Sequence, residues 1–158
     1  MLDEFDFLLI EKLQKDARKP VAQLARELGR PTATVRDHLR RLEDKGVIQG
    51  YTAVIDVAKI GFPIKALIRV NTSEKMVDPE AFLDAVGQIP EVASAVLITG
   101  TYEAEVTVQV QSIEHLSRIL YEDMRQVPEL IGTNTSVVLL ERQWQIPRRI
   151  DPPLRGPA

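Results

Sequence analysis

The clearest pattern of apolar and polar positions lies near the start of the chain, where apolar residues recur three and four positions apart. This spacing is typical of amphipathic helices, and it predicts one helix over residues 21–28 and a second over residues 33–45. Gly29 is expected to end the first helix, because it can adopt a positive φ, and Thr32 is expected to cap the second. Two helices joined by so short a turn form a helix-turn-helix.

The flanking residues extend this motif to a small domain. Before the motif, Asp3 is expected to begin a further helix. After it, residues 47–55 predict two short strands around Gly50, which would form a small wing. Three helices and a wing make a winged helix-turn-helix domain over residues 1–50, followed by a connector strand and hinge over residues 51–62.

The polar face of the second predicted helix carries a local excess of positive charge. Residues 18–45 contain eight Lys or Arg and four Asp or Glu, although the whole chain has a net charge of −3. Such a concentration attracts phosphates, and Arg, Thr and His side chains can hydrogen-bond base edges in the major groove. A solvated helix face is the alternative interpretation. We favour double-stranded DNA as the partner, because the turn, the spacing and the charge agree.

The outward-facing side chains divide into two predicted roles. Base reading is assigned to Thr34, Arg36, Asp37 and His38, and phosphate contact to Arg30, Arg40, Arg41 and Lys45, with Thr32 on the same face. These assignments predict that Arg36→Ala lowers discrimination between DNA sequences, whereas Arg41→Ala weakens binding to all duplexes alike.

The second half of the chain alternates strand and helix patterns. Four β-rich runs, over residues 64–70, 92–99, 105–111 and 132–140, enclose two helical patterns over residues 79–88 and 113–127. The order β-α-β-β-α-β is that of a ferredoxin-like domain, an antiparallel sheet with both helices on one face, here over residues 63–141. The other sheet face would be bare in a monomer, so we expect a homodimer. The fold class is therefore α+β, with a C-terminal arm near Trp144 and a tail completing residues 142–158.

Charge and composition limit the functions that each half of the chain can have. Residues 1–50 carry ten basic and nine acidic groups, whereas residues 51–141 carry six and thirteen. Because the second domain has a negative net charge, DNA would repel it, and we expect it to have a function other than DNA binding. The chain has no cysteine, no long apolar run and no signal-peptide pattern, so we expect a cytoplasmic protein without disulfides or a membrane span.

Sites for metals, cofactors or catalysis are not predicted. The two histidines, His38 and His115, are too few and too far apart in the sequence to suggest a metal site. No phosphate-binding loop, dinucleotide fingerprint or serine nucleophile pattern occurs either. We therefore expect no cofactor and no enzyme activity.

The chain resembles the Lrp/AsnC family, the leucine-responsive or feast/famine regulators. The resemblance rests on Leu2-Asp3 with Asp6, Asp16-Ala17-Arg18, Leu24-Ala25, Arg41-Leu42-Glu43, Gly46-Val47-Ile48, Gly50-Tyr51, Pro90-Glu91-Val92, Gly100 with Glu103, and Thr133 with Thr135. It covers about residues 2–141. It implies a transcription regulator whose second domain binds an amino acid or related small molecule and assembles dimers into tetramers or octamers.

The resemblance also implies where that effector binds. Matched onto this chain, the effector site comprises Thr99, Gly100, Thr101, Tyr102, Glu103, Thr133 and Thr135. Backbone amides near Gly100 and the threonine hydroxyls could hold a carboxylate, and Glu103 could hold an α-ammonium group. A plain hairpin turn is the alternative interpretation of the same residues.

The sequence departs from the family at two positions that bear on DNA recognition. Pro31 and His38 stand where the family often has Ser and Arg, so the preferred operator sequence of the family cannot be assumed for this chain.

Two alternative functions stay open. An architectural protein that wraps DNA with weak sequence choice is one alternative. An Lrp-like sirohaem decarboxylase, which would use histidine and arginine of the second domain, is the other. The enzyme is disfavoured, because that domain has only His115 and its few basic residues are not expected to cluster.

Overall fold

The computed structural model describes residues 2–72 and 78–142, and it divides near Val54 into two units. Residues up to Val54 belong to the first unit, and Ile55–Glu141 form the second. The arm and tail predicted beyond residue 142, including the order expected near Trp144, lie outside the described residues. In the described part of the chain, no helix is both long enough and apolar enough to cross a membrane.

Three helices make the first unit: α1 (Glu4–Lys15), α2 (Val21–Leu28) and α3 (Thr32–Asp44). Their apolar stripes meet in a core that includes the fully buried Leu9, Leu24 and Leu42. Asp3 caps α1 as predicted. Its carboxylate accepts the Asp6 amide, and the Asp6 carboxylate accepts the Asp3 amide in return, both at 2.9 Å.

The turn between α2 and α3 agrees with the prediction in one respect and differs in another. Gly29 has a φ of 61° and ends α2 as expected. Thr32, however, is the first residue of α3 rather than its cap. Pro31 takes the cap position with an extended backbone (φ −59°, ψ 143°), and its carbonyl accepts the Val35 amide. Helical geometry therefore begins directly after Pro31.

The two strands expected around Gly50 do not form, and residues 47–55 contain no strand. The first two amides of this segment instead donate to the Leu42 carbonyl and complete the end of α3. Gly50 does not adopt the positive φ that a tight hairpin turn needs. The Tyr51 hydroxyl donates to Glu43 at 2.8 Å, and burial together with this carboxylate raises the pKa of Tyr51 to about 12. The segment thus attaches to α3 rather than to a second strand.

The second unit has the predicted ferredoxin-like order of elements. After a 3-10 turn (Val57–Ile60) come β1 (Ile64–Thr72), α4 (Pro79–Gly87), β2 (Val92–Leu97), β3 (Ala104–Val110), α5 (Ile113–Arg118) and β4 (Leu130–Val137). The four strands form one antiparallel sheet in the order β2-β3-β1-β4. Alternate residues of β1 and β3, such as Ile68 and Val106, are fully buried. Together with buried residues of the helices they form the core, so one face of the sheet is covered, while none of the described helices packs on the other, open face.

Two elements end differently from the prediction. After α5 the chain continues as a π turn (Ile119–Asp123) and a 3-10 turn (Met124–Gln126), not as one regular helix. The last strand spans Leu130–Val137 instead of reaching residue 140. Beyond Val137 one further hydrogen bond joins the chain to β1, from the Val138 amide to the Lys65 carbonyl at 2.8 Å.

Candidate nucleic-acid interface and effector site

The outer face of α3 comprises Thr32, Arg36, Asp37 and Arg40, which are all exposed. An α-helix turns by about 100° per residue, so Arg36 and Arg40 lie about 40° apart around its axis. Arg40 Nε is 3.8 Å from Asp44 Oδ2, and both side chains are largely in solvent. Exposed pairs of this kind are weak, so Arg40 can exchange its carboxylate partner for a phosphate. This face combines donors and acceptors that can contact a major groove.

Three further residues predicted to contact DNA have different environments. Arg30, in the turn before α3, is exposed, and its guanidinium carbon lies 5.7 Å from the centroid of the Phe5 ring. Lys45 follows α3 and is exposed. Thr34 is only partly exposed. Arg30 and Lys45 therefore have the freer access to a phosphate.

The N-termini of α2 and α3 lack capping side chains. Pro20 and Pro31 precede these helices without a side-chain hydrogen bond, and neither helix has an acidic residue in its first turn. By contrast, α1, α4 and α5 are each capped by an Asp or Ser side chain and carry an acidic residue in the first turn. Unpaired amides and the positive end of the helix dipole attract anions. Both helices of the motif therefore offer electropositive ends.

A buried carboxylate ties α3 to α1. Asp6 has no exposed surface, and both of its oxygens lie 2.7 Å from Arg41 Nη2. The same nitrogen donates to Asp3 Oδ2 at 2.9 Å, and His38 Nδ1 lies 2.7 Å from Asp6 Oδ1. The His38 ring meets the Phe5 ring edge-on, with centroids 4.8 Å apart. We call Asp3, Asp6, His38 and Arg41 the α1–α3 cluster.

Hydrogen bonds keep Asp3, Asp6 and Arg41 of the α1–α3 cluster ionised. Burial opposes ionisation of Asp6, but hydrogen bonds from Arg41, the Asp3 amide and His38 outweigh it and lower the pKa of Asp6. The pKa of Asp3 is lowered in the same way, because the Asp6 amide and Arg41 outweigh desolvation. Bonds to Asp6 and Asp3 raise the pKa of Arg41. Asp6 and Arg41 therefore form an ion pair in the folded protein.

This arrangement corrects the expected orientation of two side chains. His38 and Arg41 were predicted to point outward, because both are polar residues beside the apolar stripe. In the structure their side chains are 19% and 38% exposed, and both contact Asp6 of α1. The signal for this in the sequence is Asp6 itself, three residues before Leu9 on the apolar stripe of α1. An acid on a buried stripe requires a partner.

The α1–α3 cluster also bears on the question of a metal site. Asp3, Asp6 and His38 each present a ligand atom, and these atoms lie within 4.8 Å of one another. Distance along the sequence was therefore a poor argument against such a grouping. Arg41 Nη2, however, lies among the same oxygens and already supplies their positive partner. We assign the cluster to contact between helices.

The loop predicted to bind an effector lies at one end of the sheet. Thr99, Gly100 and Thr101 are exposed, and Tyr102 and Glu103 are partly exposed. Gly100 adopts a φ of 129°, and the Ile98 amide donates to the Glu103 carbonyl to close the loop. The Glu103 carboxylate accepts the Thr72 amide at 3.2 Å. This bond attaches the loop to the end of β1.

Thr133 and Thr135 lie on β4, on the other side of β1. Thr133 pairs with Val70, which also pairs with Ala104 at the start of β3. Neighbouring strands are about 4.8 Å apart, so the start of β3 and the two threonines are separated by about 10 Å within one chain. One chain thus brings the predicted residues to the same end of the sheet, with β1 between them.

A second cluster contradicts one expectation about the second unit. His115 Nε2 lies 2.7 Å from Glu91 Oε1 and 2.9 Å from Arg118 Nη2, so a histidine and an arginine do cluster there. The Glu91 side chain is only 13% exposed and faces both of them. The Glu91 carboxylate contacts His115 and Arg118 and so links α5 to the residue before β2. We interpret it as a polar contact between elements.

The fold and these surfaces define a helix-turn-helix DNA-binding protein with an appended α+β domain. A family model for winged helix-turn-helix DNA-binding matches residues 2–49, and one for the Lrp/AsnC ligand binding domain matches residues 65–143. The chain therefore belongs to the Lrp/AsnC family of DNA-binding transcriptional regulators. The resemblance seen in the sequence and the predicted fold class are confirmed.

Individual relatives agree with this membership. The chain is 33% identical over 141 residues to the proline dehydrogenase transcriptional activator of Rhizobium radiobacter, covering 87% of this chain and 89% of that protein. The structure of E. coli AsnC is similar with a TM-score of 0.81 and 26% identity, covering 96% and 99% of the two chains. A transcriptional regulator of Neisseria meningitidis in complex with L-Met has the same fold, with a TM-score of 0.85, 22% identity and coverage of 92% and 95%.

Proposed function

We propose that this regulator binds double-stranded DNA sequence-specifically through α3 and responds to an amino acid bound by its second unit. The observation that carries the DNA-binding proposal is the outer face of α3, whose exposed cationic and polar side chains accompany two uncapped helix N-termini. Side chains of this kind can contact base edges, and uncapped helix ends can contact phosphates.

The residues divide into two proposed roles. Arg36 and Asp37 would read bases, because arginine bonds guanine in a bidentate manner and a carboxylate accepts from cytosine. Arg30, Arg40 and Lys45 would neutralise phosphates, which fix the position of the protein on the duplex. Thr32 and Thr34 stay candidates for contacts near the start of α3. His38 and Arg41 are removed from the direct contacts, because Asp6 engages both.

The direct test is DNA binding as a function of salt. The wild-type protein is used to select a duplex from a random library, and its affinity for that duplex and for a scrambled one is measured by fluorescence anisotropy. We expect log K to fall linearly with log salt, by about 0.9 for each phosphate neutralised, and the selected duplex to bind at least about 1000-fold more tightly. Equal affinity for both duplexes, with long phased footprints, would support the architectural alternative. Absence of salt-sensitive binding would contradict DNA binding altogether.

Self-association of the second unit is proposed from the open face of its sheet. Leu67 lies in the middle of this face, opposite Thr107 on one side and Ser136 on the other. Val96, in register with Glu105 on the same face, is 51% exposed. Apolar groups left in solvent favour burial against a second copy. Such a dimer would present two α3 helices to major grooves about 34–36 Å apart, or a multiple of that distance, and dimers would assemble further into tetramers or octamers.

An amino acid is the proposed effector, held by the loop at Thr99–Glu103 and by Thr133 and Thr135. The backbone opened by Gly100 and the exposed hydroxyls suit a carboxylate. Glu103 would accept the α-ammonium group. The match to a ligand-binding domain and the L-Met complex of the Neisseria meningitidis protein support this class of ligand. The resemblance to the family implies that the effector binds between dimers, and the separation of the two sets by β1 within one chain agrees with a site that a second dimer completes.

A thermal-shift screen of the twenty amino acids tests the effector. We expect at least one amino acid to raise Tm, since a ligand at 100 times its Kd stabilises the folded state by about 2.7 kcal/mol. Glu103→Gln keeps an acceptor for the Thr72 amide but loses the charge, so it should abolish that shift. Glu114→Gln is the matched control, because Glu114 is exposed at the start of α5, which follows the end of β3 away from the loop. No hit, or an unchanged shift in Glu103→Gln, would contradict the proposed site.

A further inference from the structure

The α1–α3 cluster places Arg41 where it cannot serve DNA as a free cation. Its Nη2 is shared between Asp6, at 2.7 Å from both oxygens, and Asp3, at 2.9 Å. Its Nε is buried and has no hydrogen-bond partner within the described residues. Moving the guanidinium to a phosphate would leave the Asp6 carboxylate, which has no exposed surface, without its ionic partner.

The contacts of α3 with the rest of its unit are of two kinds. Val35, Leu39 and Leu42 bury apolar surface in the core, and this attraction is non-directional. The bonds of His38 and Arg41 to Asp6 are charged, short and directional. Two directional contacts one turn apart fix the rotation of α3 about its own axis more closely than apolar packing can.

That rotation decides where the outer face of α3 points. At about 100° per residue, Arg36 lies roughly 140–160° around the helix from His38 and Arg41, and Arg40 lies roughly 100–160° from them. The α1–α3 cluster and the outer face therefore occupy different sides of one helix. A small rotation on the cluster side moves both outer arginines relative to the base edges.

We propose that Asp6 and Arg41 are positioning residues for DNA recognition: their buried ion pair, with Asp3 and His38, sets the rotation of α3, and Arg41 makes no phosphate contact. The inference rests on the proposed DNA-binding function. It replaces the role that the sequence suggested for Arg41, which was a phosphate contact that strengthens binding to every duplex.

Arg41→Gln and Arg40→Gln form a matched pair for the test. The two substitutions remove the same charge from adjacent residues, one bonded to Asp6 and the other 81% exposed. Affinities for the selected and the scrambled duplex are measured across a salt series, well below the Tm of each variant. Arg40→Gln should lower the salt slope by about 0.9 and leave the selected-to-scrambled ratio unchanged. Arg41→Gln should leave the slope unchanged and lower the ratio about tenfold.

Further variants separate positioning from stability alone. Glu27 of α2 pairs with Lys12 of α1 and with Lys19, so these ion pairs join α2 to α1 without involving α3. Hydrogen bonds from Lys19 and Lys12 lower the pKa of Glu27 to about 2. Glu27→Gln should lower Tm with neither the slope nor the ratio changed. Asp6→Asn removes the buried charge from α1 itself and should reproduce the Arg41→Gln phenotype. If Arg41→Gln fails to fold, Arg41→Lys, which keeps the charge without the planar fork, should show the same loss of ratio.

The possible results distinguish this inference from the function on which it rests. A salt slope that falls in Arg41→Gln as in Arg40→Gln would make Arg41 a phosphate contact and overturn the inference alone. A ratio unchanged in both Arg41→Gln and Asp6→Asn would show that the cluster contributes only stability, and would overturn it as well. Failure of the wild-type protein to bind any duplex would overturn the proposed function and the inference together.

Discussion

Leu67→Asp is expected to convert the protein to monomers and to lower its affinity for a duplex with two half-sites by about 100-fold or more. Leu67 lies in the middle of the open sheet face, opposite Thr107 and Ser136. Burying a carboxylate there against a second copy would be costly, because Lys65 and Arg69 on the same face of β1 already pair with Glu141 and Glu105. Loss of the dimer would remove the gain from linking two binding modules, typically 10²–10⁴-fold. Light scattering gives the mass, and fluorescence anisotropy gives the affinity.

The control for this prediction lies on the other side of the same unit. Ile113 is 53% exposed at the start of α5, where an added carboxylate faces the positive end of the helix dipole. Ile113→Asp should therefore leave both mass and affinity unchanged. Val96→Asp, on the open face, provides a second interface variant if Leu67→Asp does not fold. A dimer that persists in both open-face variants would show that the sheet is not the dimer interface.

The apolar pattern was sufficient to predict the three helices of the first unit and the order of strands and helices in the second. Positions such as Leu24 and Leu28, or Val106 and Val108, follow the helical or strand period, because burial of one face is the main source of stability in both cases. Where the pattern failed, the competing interactions were local. The predicted strands after Gly46 were lost because two amides complete the end of α3. Nothing in the apolar pattern records which amides a helix end will use.

The sequence predicted which helix forms the candidate DNA interface, but not which of its side chains are free to contact DNA. The sequence shows that α3 is rich in arginine, yet it does not show which arginines have carboxylate partners. Arg40 and Arg41 are adjacent and chemically identical, and they point to solvent and to Asp6 respectively. The partner of Arg41 is distant along the chain, so only the packing of α1 against α3 separates their roles. For the effector site, the sequence likewise did not show that β1 lies between the two sets of predicted residues within one chain.

Arg36→Ala is expected to lower discrimination between the selected and the scrambled duplex by about 5–150-fold, which corresponds to about 1–3 kcal/mol. Arg36 is exposed on the outer face of α3 and lies on the side away from Asp6. A bidentate bond to guanine is lost only on the selected duplex, whereas any loss of general electrostatic attraction affects both duplexes. The measurement is the ratio of the two affinities at one salt concentration.

Arg40→Ala is the matched substitution on the same face, and it should weaken binding to both duplexes by a similar factor. The two arginines are one turn apart on α3, both are exposed, and neither belongs to the core of the first unit, so both changes should leave that core intact. If both substitutions lower the ratio equally, base reading is shared along the outer face and cannot be assigned to Arg36. If neither lowers it, specificity comes from DNA shape or from the spacing of two reading helices, and the dimer geometry becomes the main determinant.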